Sequence, residues 1–93
     1  MFTSHSIIAT DNAQRCLNRL CRHWAHKFAV ELESDTGHIF FDPAQCWLSK
    51  VEGGLQVRLQ TPHEAELNEL EEVVAEHLQR MSAEEQLVIE WVR

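Results

Sequence analysis

The residue types best suited to chemistry lie in one short segment, Cys21-Arg22-His23-Trp24-Ala25-His26-Lys27. A thiol, two imidazoles and two cations stand beside an indole that the core would need in any case. A third imidazole and a guanidinium, His77 and Arg80, occur near the end of a second amphipathic stretch. Imidazole, ammonium and guanidinium groups bind anions and exchange protons. The candidate ligand-binding residues are therefore His23, His26, Lys27, His77 and Arg80.

Anion binding is the first chemistry that these groups suggest. Lys27, His23 and Arg80 would concentrate positive charge at two helix ends of an otherwise acidic chain. The dipoles of those helix C-termini repel anions, so the cations could equally serve to neutralise the helix ends.

Metal binding and thiol chemistry are the alternatives. His23 and His26 stand three residues apart and could chelate a metal together with His77, but no carboxylate occurs at a metal-binding spacing. Cys16 or Cys21 beside His23 could form a nucleophile–base pair, although no third orienting group is evident. Two of these residues also have purely structural interpretations. Cys21 falls on an apolar helical stripe, and His77 falls on another, where it would need a hydrogen-bond partner.

Length and composition bound the class of protein. Ninety-three residues suffice for one domain, residues 1–93, with its own core. The three cysteines have no Cys-x-x-Cys spacing, which argues against a disulfide framework or a zinc ribbon. No long apolar run or leader is visible, so the expected location is the cytoplasm, with no membrane partner. The net charge of −7 argues against nucleic acid as a partner.

The elements that must position the candidate residues follow from hydrophobic periodicity. Strand patterns are expected at residues 2–9, 28–33, 38–41, 46–51, 55–60 and 87–92, and helices at about 12–25 and from Thr61-Pro62 to about residue 81. Asp11 and Gln14 have a capping-box-like spacing, and Gly53-Gly54 predicts a hairpin turn. The predicted order is β-α-β-β-β-β-α-β, a two-layer α+β domain with two helices on one face of an antiparallel sheet. Phe40 and either Trp47 or Cys46 would lie on the other face, where a homodimer could form.

The segment Leu20-Cys21-x-His23-Trp24-x-His26-Lys27, with Ala9-Thr10, His77-Leu78-x-Arg80 and Trp91, resembles the bacterial domain-of-unknown-function family 2218 over nearly the whole chain. The resemblance implies a TATA-binding-protein-like fold, which agrees with the predicted element order. The family has no established function. Its members tend to be encoded near iron–siderophore uptake genes, so the resemblance suggests a role in that context.

The sequence therefore favours a small cytoplasmic binding or accessory domain over an enzyme. Its partner would be a small anionic ligand or another protein, and iron–siderophore handling is the context that the resemblance suggests. A metal- or thiol-dependent enzyme built on the same His, Cys, Lys and Arg cluster is the alternative. The sequence identifies no cofactor and leaves the metal question open.

Overall fold

A five-stranded antiparallel sheet carries two helices on one face in the computed structural model, which describes residues 1–93. The elements are β1 (Phe2–Ala9), α1 (Ala13–Trp24), β2 (Ala29–Leu32), β3 (Thr36–Phe40), β4 (Gln45–Val51), β5 (Gly54–Thr61) and α2 (Glu64–Met81). This succession confirms the predicted α+β class and the predicted order as far as the second helix. Neither helix is both long enough and apolar enough to cross a membrane.

The strands lie in the order β1-β5-β4-β3-β2. Strands β2 to β5 form a sequential meander, and β1 pairs antiparallel with β5 along its whole length, from Phe2 opposite Thr61 to Ala9 opposite Gly54. The two edge strands are therefore β1 and β2.

Alternation along the strands separates a buried face from an open face. Cys46 and Leu48 of β4 are buried with Val57 and Leu59 of β5, whereas Trp47 of β4 points to the opposite face. This alternation resolves the choice between Trp47 and Cys46: the indole lies on the open face and the thiol in the core. The helices fill the buried face with fully buried apolar side chains, namely Leu17 and Leu20 from α1 and Leu67, Val74 and Leu78 from α2. Each such side chain contributes about 1.5–3 kcal/mol when removed from water.

The turn between β4 and β5 confirms the predicted hairpin but for a partly different reason. Gly53 has a positive φ of 75° and needs glycine for that conformation. Gly54 has no positive φ; a Cβ there would lie 2.2 Å from the Ile8 carbonyl oxygen of the paired strand β1. Gly54 is thus required for close backbone approach, and only one of the two glycines serves the turn itself.

The start of α2 and the capping box at α1 both differ from the prediction. Thr61 remains in β5, so α2 begins at Glu64 with His63 as its N-cap residue. The Thr61 hydroxyl still ties the two elements together, because it donates a 2.9 Å hydrogen bond to the Glu66 carboxylate. At α1, Gln14 does not complete a capping box but donates to the Ser34 carbonyl at 2.7 Å. Gln14 is therefore engaged by a tertiary partner, whereas Thr61 still bonds locally, to the first turn of α2.

The predicted last strand is reduced to an extended segment with one antiparallel bridge, between Val92 and His5 of β1. Leu87, Ile89 and Trp91 pack on the core, as the predicted alternation requires. Arg93 donates two hydrogen bonds, of 3.2 and 3.0 Å, to the Glu71 carboxylate of α2. The segment is therefore held by side chains more than by a strand ladder.

Candidate functional site

An open cavity of about 490 Å³ lies between the end of α1, one side of α2 and the loop after β3. Aromatic and imidazole rings, three carboxylates and one ammonium group are among the side chains that line it. They are His23, Trp24, Lys27, Phe28, Phe41, Asp42, Pro43, Ala44, Glu66, Glu69, Leu70, Val73 and His77. A cavity of this size is in the range of small-molecule sites. The structure thus brings together three of the five predicted ligand-binding residues: His23, Lys27 and His77.

His77 is the best-defined polar group in the cavity. Its Nδ1–H donates to the Val73 carbonyl oxygen of the preceding helical turn at 2.7 Å. The second ring nitrogen, Nε2, makes no hydrogen bond to the protein and can accept one from a ligand when it carries no proton. The hydrogen bond satisfies the requirement expected of a histidine on an apolar stripe, but the half-buried ring also borders the cavity.

Aromatic rings form one wall. The His77 ring centroid lies 4.8 Å from that of Trp24 and 5.2 Å from that of His23. Phe41 meets Trp24 edge to face at 4.9 Å and meets Phe28 in the same way at 4.9 Å. These contacts hold the ring wall in one arrangement, because each aromatic ring is packed against at least one neighbour.

The charge of the cavity is negative rather than positive. Lys27 is its only ammonium or guanidinium group, and Asp42, Glu66 and Glu69 oppose it. The Glu66 carboxylate already accepts a hydrogen bond from Thr61, which leaves Asp42 and Glu69 without a side-chain hydrogen bond or ion pair in the protein. With neutral histidines the lining carries a formal charge of −2, so it attracts cations more than anions.

Arg80 and His26 are not part of this cavity. Arg80 forms an exposed ion pair with Glu76, one turn earlier on α2. His26 is exposed in the turn after α1 and contributes nothing to the cavity lining. Position along the helix axis explains the separation of Arg80, which lies on the same stripe of α2 but almost one turn beyond His77, the last α2 residue of the lining. His26 lies in the turn after α1 and is not on a helical stripe. An anion in the cavity would therefore have no guanidinium group to contact.

The three thiols lie in the core and not in the cavity. Burial raises the pKa of Cys21 to about 11, and burial together with the neighbouring Cys21 raises the pKa of Cys46 further still. Cys16 is buried against the Ser82 hydroxyl and the Leu78 carbonyl region of α2. A thiol must be ionised to act as a nucleophile, so Cys21 and Cys46 do not supply the reactive thiolate that the alternative enzyme hypothesis needs. Cys16 is buried and does not line the cavity.

No group of three or more His, Cys, Asp or Glu side chains is arranged to hold a metal ion. His23 and His77 approach each other in the cavity, but His26, the predicted chelating partner of His23, does not join them. The predicted His23–His26–His77 set is therefore not assembled.

Sequence reasoning missed the acidic side of the cavity. Glu66, Glu69, Val73 and His77 are spaced by three, four and four residues, so they form a continuous stripe along α2. That spacing could have identified the stripe in advance. Asp42 could not be found in this way, because the sequence marked Asp42-Pro43 only as the end of a strand.

The fold defines a two-layer α+β domain with a helix layer, an open sheet face and a cavity at the helix layer's edge. The chain belongs to domain-of-unknown-function family 2218, described as an uncharacterized protein conserved in bacteria, whose model matches residues 5–92. The NMR structure of PA4090 from Pseudomonas aeruginosa is similar, with a TM-score of 0.83 and 43% sequence identity. The match covers 99% of this chain and 96% of that one. No curated protein matches the sequence.

Proposed function

We propose that the protein is a non-enzymatic binding domain whose cavity accepts a small organic cation, an amine attached to an apolar or aromatic body. The observation that carries this proposal is the joint presence, around one cavity, of a packed ring wall, the free Nε2 of His77 and a formal charge of −2. The location proposed with it is the cytoplasm, where buried thiols stay reduced.

The ligand's apolar body would contact the half-buried Phe28 and Phe41 rings, which pack with the buried Trp24. Aromatic rings bind cations as well as apolar groups, and such contacts contribute about 0.5–2 kcal/mol according to how far they are desolvated. The ammonium group would then lie within reach of His77 Nε2 and of the Asp42 and Glu69 carboxylates. Charge-assisted hydrogen bonds of this kind contribute about 1.5–3 kcal/mol each.

The same charge balance disfavours the small anionic ligand that the sequence suggested, including anionic iron–siderophore complexes. Lys27 is available to such a ligand, but three carboxylates stand around it and Arg80 is engaged elsewhere. Binding is proposed over catalysis because the core position of the thiols removes the nucleophiles that the enzyme alternative needed.

Three probes with a common ring and different charge test the proposal: 2-phenylethylamine, 2-phenylethanol and phenylacetate. Chemical shifts of amide and indole N–H groups are followed in ¹⁵N-labelled protein during each titration, and a ferric siderophore is added as a fourth probe. We expect the amine to shift resonances of His23, Trp24 and His77 and to bind more tightly than the alcohol. Stronger binding of phenylacetate or of the siderophore would restore the anion hypothesis.

Variants assign the binding to named groups. His77→Phe keeps a ring beside Trp24 but removes the acceptor nitrogen, so amine binding should weaken about tenfold or more. Glu69→Gln should weaken the amine but not the alcohol. His26→Ala is the matched control, because it removes an imidazole from the same region without touching the cavity lining. Equal losses in His77→Phe and His26→Ala would contradict the proposed site.

A further inference from the structure

The open face of the sheet carries one continuous row of side chains across all five strands. The register places Glu31 opposite His38, His38 opposite Trp47, Trp47 opposite Arg58, and Arg58 opposite His5. The row crosses near the middle of the strands. Both helices pack on the other face, so neither helix covers it.

The side chains of this row are already ordered by one another. The His38 and Trp47 rings are stacked with centroids 4.7 Å apart and planes inclined by 25°. The Arg58 guanidinium lies over the indole, 5.5 Å from its centroid, and Phe40 meets His38 at 3.9 Å. A surface whose rotamers are fixed in advance loses little side-chain entropy when a partner covers it.

The charges in the row are placed asymmetrically. Glu31, whose side chain is 71% exposed, lies on edge strand β2, whereas Arg58 lies three strands away on β5. Consider a second copy whose open face meets this one, related to it by a two-fold axis that lies between the two faces, parallel to the strands and midway between β3 and β4. In the second copy the row of side chains runs in the opposite direction. This arrangement sets Glu31 of one copy against Arg58 of the other, twice, and sets His38 against Trp47 of the other copy. The face is therefore complementary to itself.

We propose that this face is the interface of a symmetric homodimer, with the row from Glu31 to Arg58 at its centre. Isologous interfaces require such self-complementarity, and two sheets can pack face to face at about 10 Å. Under this axis β2 to β5 overlap and β1 does not, and the four residues of β2 and five of β3 limit the overlap along the strands. Each copy therefore offers about 300 Å² in projection. That area is below the range of stable specific interfaces, so the dimer is weak and reversible.

Sedimentation equilibrium of the full chain between about 10 µM and 1 mM measures the association. Glu31→Arg brings two guanidinium groups together across the axis, and Arg58→Glu brings two carboxylates together there. Each variant should therefore self-associate at least tenfold more weakly than the unchanged protein. Arg22→Glu, on the exposed side of α1, is the matched charge-reversal control and should associate normally.

Charge complementation makes the test specific to the two-fold arrangement. An equimolar mixture of the Glu31→Arg and Arg58→Glu variants pairs opposite charges at both positions and should form heterodimers. The double variant carrying both substitutions should recover self-association. Circular dichroism spectra of all variants confirm that loss of association is not loss of folding.

Several outcomes overturn the proposal. Unchanged protein that remains monomeric at 1 mM excludes the dimer. Association that persists in both single variants moves the interface off this face, for example to the free edge of β2. Failure of the mixture and of the double variant to recover association contradicts the axis. Quenching of Trp47 by a single-stranded oligonucleotide, with no self-association, assigns the face to nucleic acid instead.

Discussion

Replacing Gly37 with alanine tests how closely α1 sits on the sheet, and hence how firmly the first helix of the site is positioned. A Cβ at Gly37 would lie 2.5 Å from Cys21 Sγ and 3.0 Å from Leu17 Cδ1. Both neighbours are buried, at 1% and 0% exposure, and cannot swing into solvent. Alanine in place of Gly37 must therefore push α1 away from β3 or strain these side chains.

The magnitude follows from two opposing effects. Overpacking of a core costs about 1–3 kcal/mol, whereas replacing glycine by alanine at an unstrained position gains about 0.4–1 kcal/mol by restricting the unfolded chain. We expect Gly37→Ala to destabilise the fold by about 1–2 kcal/mol. Urea unfolding followed by tryptophan fluorescence measures this loss.

A double variant identifies the contact responsible. Cys21→Ala removes the nearer clashing atom, so adding Gly37→Ala to it should cost at least about 1 kcal/mol less than in the unchanged protein. The Leu17 contact remains, so recovery is partial. Amide shifts of His23 and Lys27 should move in Gly37→Ala and return towards their original positions in the double variant. Additive penalties, or a neutral Gly37→Ala, would refute the close helix–sheet contact.

Three other perturbations have definite expected results. Gly54→Ala should lower the free energy of unfolding by more than about 3 kcal/mol, because the new Cβ would meet a backbone carbonyl oxygen of β1. Gly53→Ala should lower it by about 1 kcal/mol, because only the positive φ is strained. Similar unfolding midpoints for the two variants would count against this distinction. Burial acts to raise the pKa of Glu71, but hydrogen bonds from Arg93 and from the buried Ser4 hydroxyl outweigh it and lower that pKa below its usual 4.5. Glu71 therefore stabilises the fold above that value and loses this effect as pH falls through its native pKa. Glu71→Gln should be less stable than the unchanged protein at about pH 7, with a difference that shrinks as the pH falls below 4.5; a difference independent of pH in urea titrations would contradict this. The Cys21 thiol, whose pKa burial raises to about 11, should react with iodoacetamide at about pH 8 roughly 100-fold more slowly in native than in urea-unfolded protein, as followed by mass spectrometry of its peptide. Comparable rates for that peptide would show an accessible thiol.

The sequence alone determined the layer architecture, because strand alternation and helical stripes are local patterns that hold wherever the elements pack. Leu55, Val57 and Leu59 alternate with polar residues, and this predicted both β5 and its buried face. The same local information indicated that Trp24 belongs to the core, where it is buried. The family resemblance was also visible at this level, since it rests on residue types at fixed spacing.

Tertiary structure decided which polar groups meet. Arg80 and His77 are three residues apart in sequence, yet one pairs with Glu76 on the surface and the other faces the cavity. Asp42 reaches the same cavity from a loop whose course no local pattern specifies. Thr61, the expected start of the second helix, stays in β5 because it pairs with Phe2 of β1. That partner lies fifty-nine residues earlier in the chain. Pairing between distant segments sets these contacts, and with them the sign of the charge in the cavity. Composition and periodicity could therefore identify candidate residues for the site, but they could not predict its negative charge.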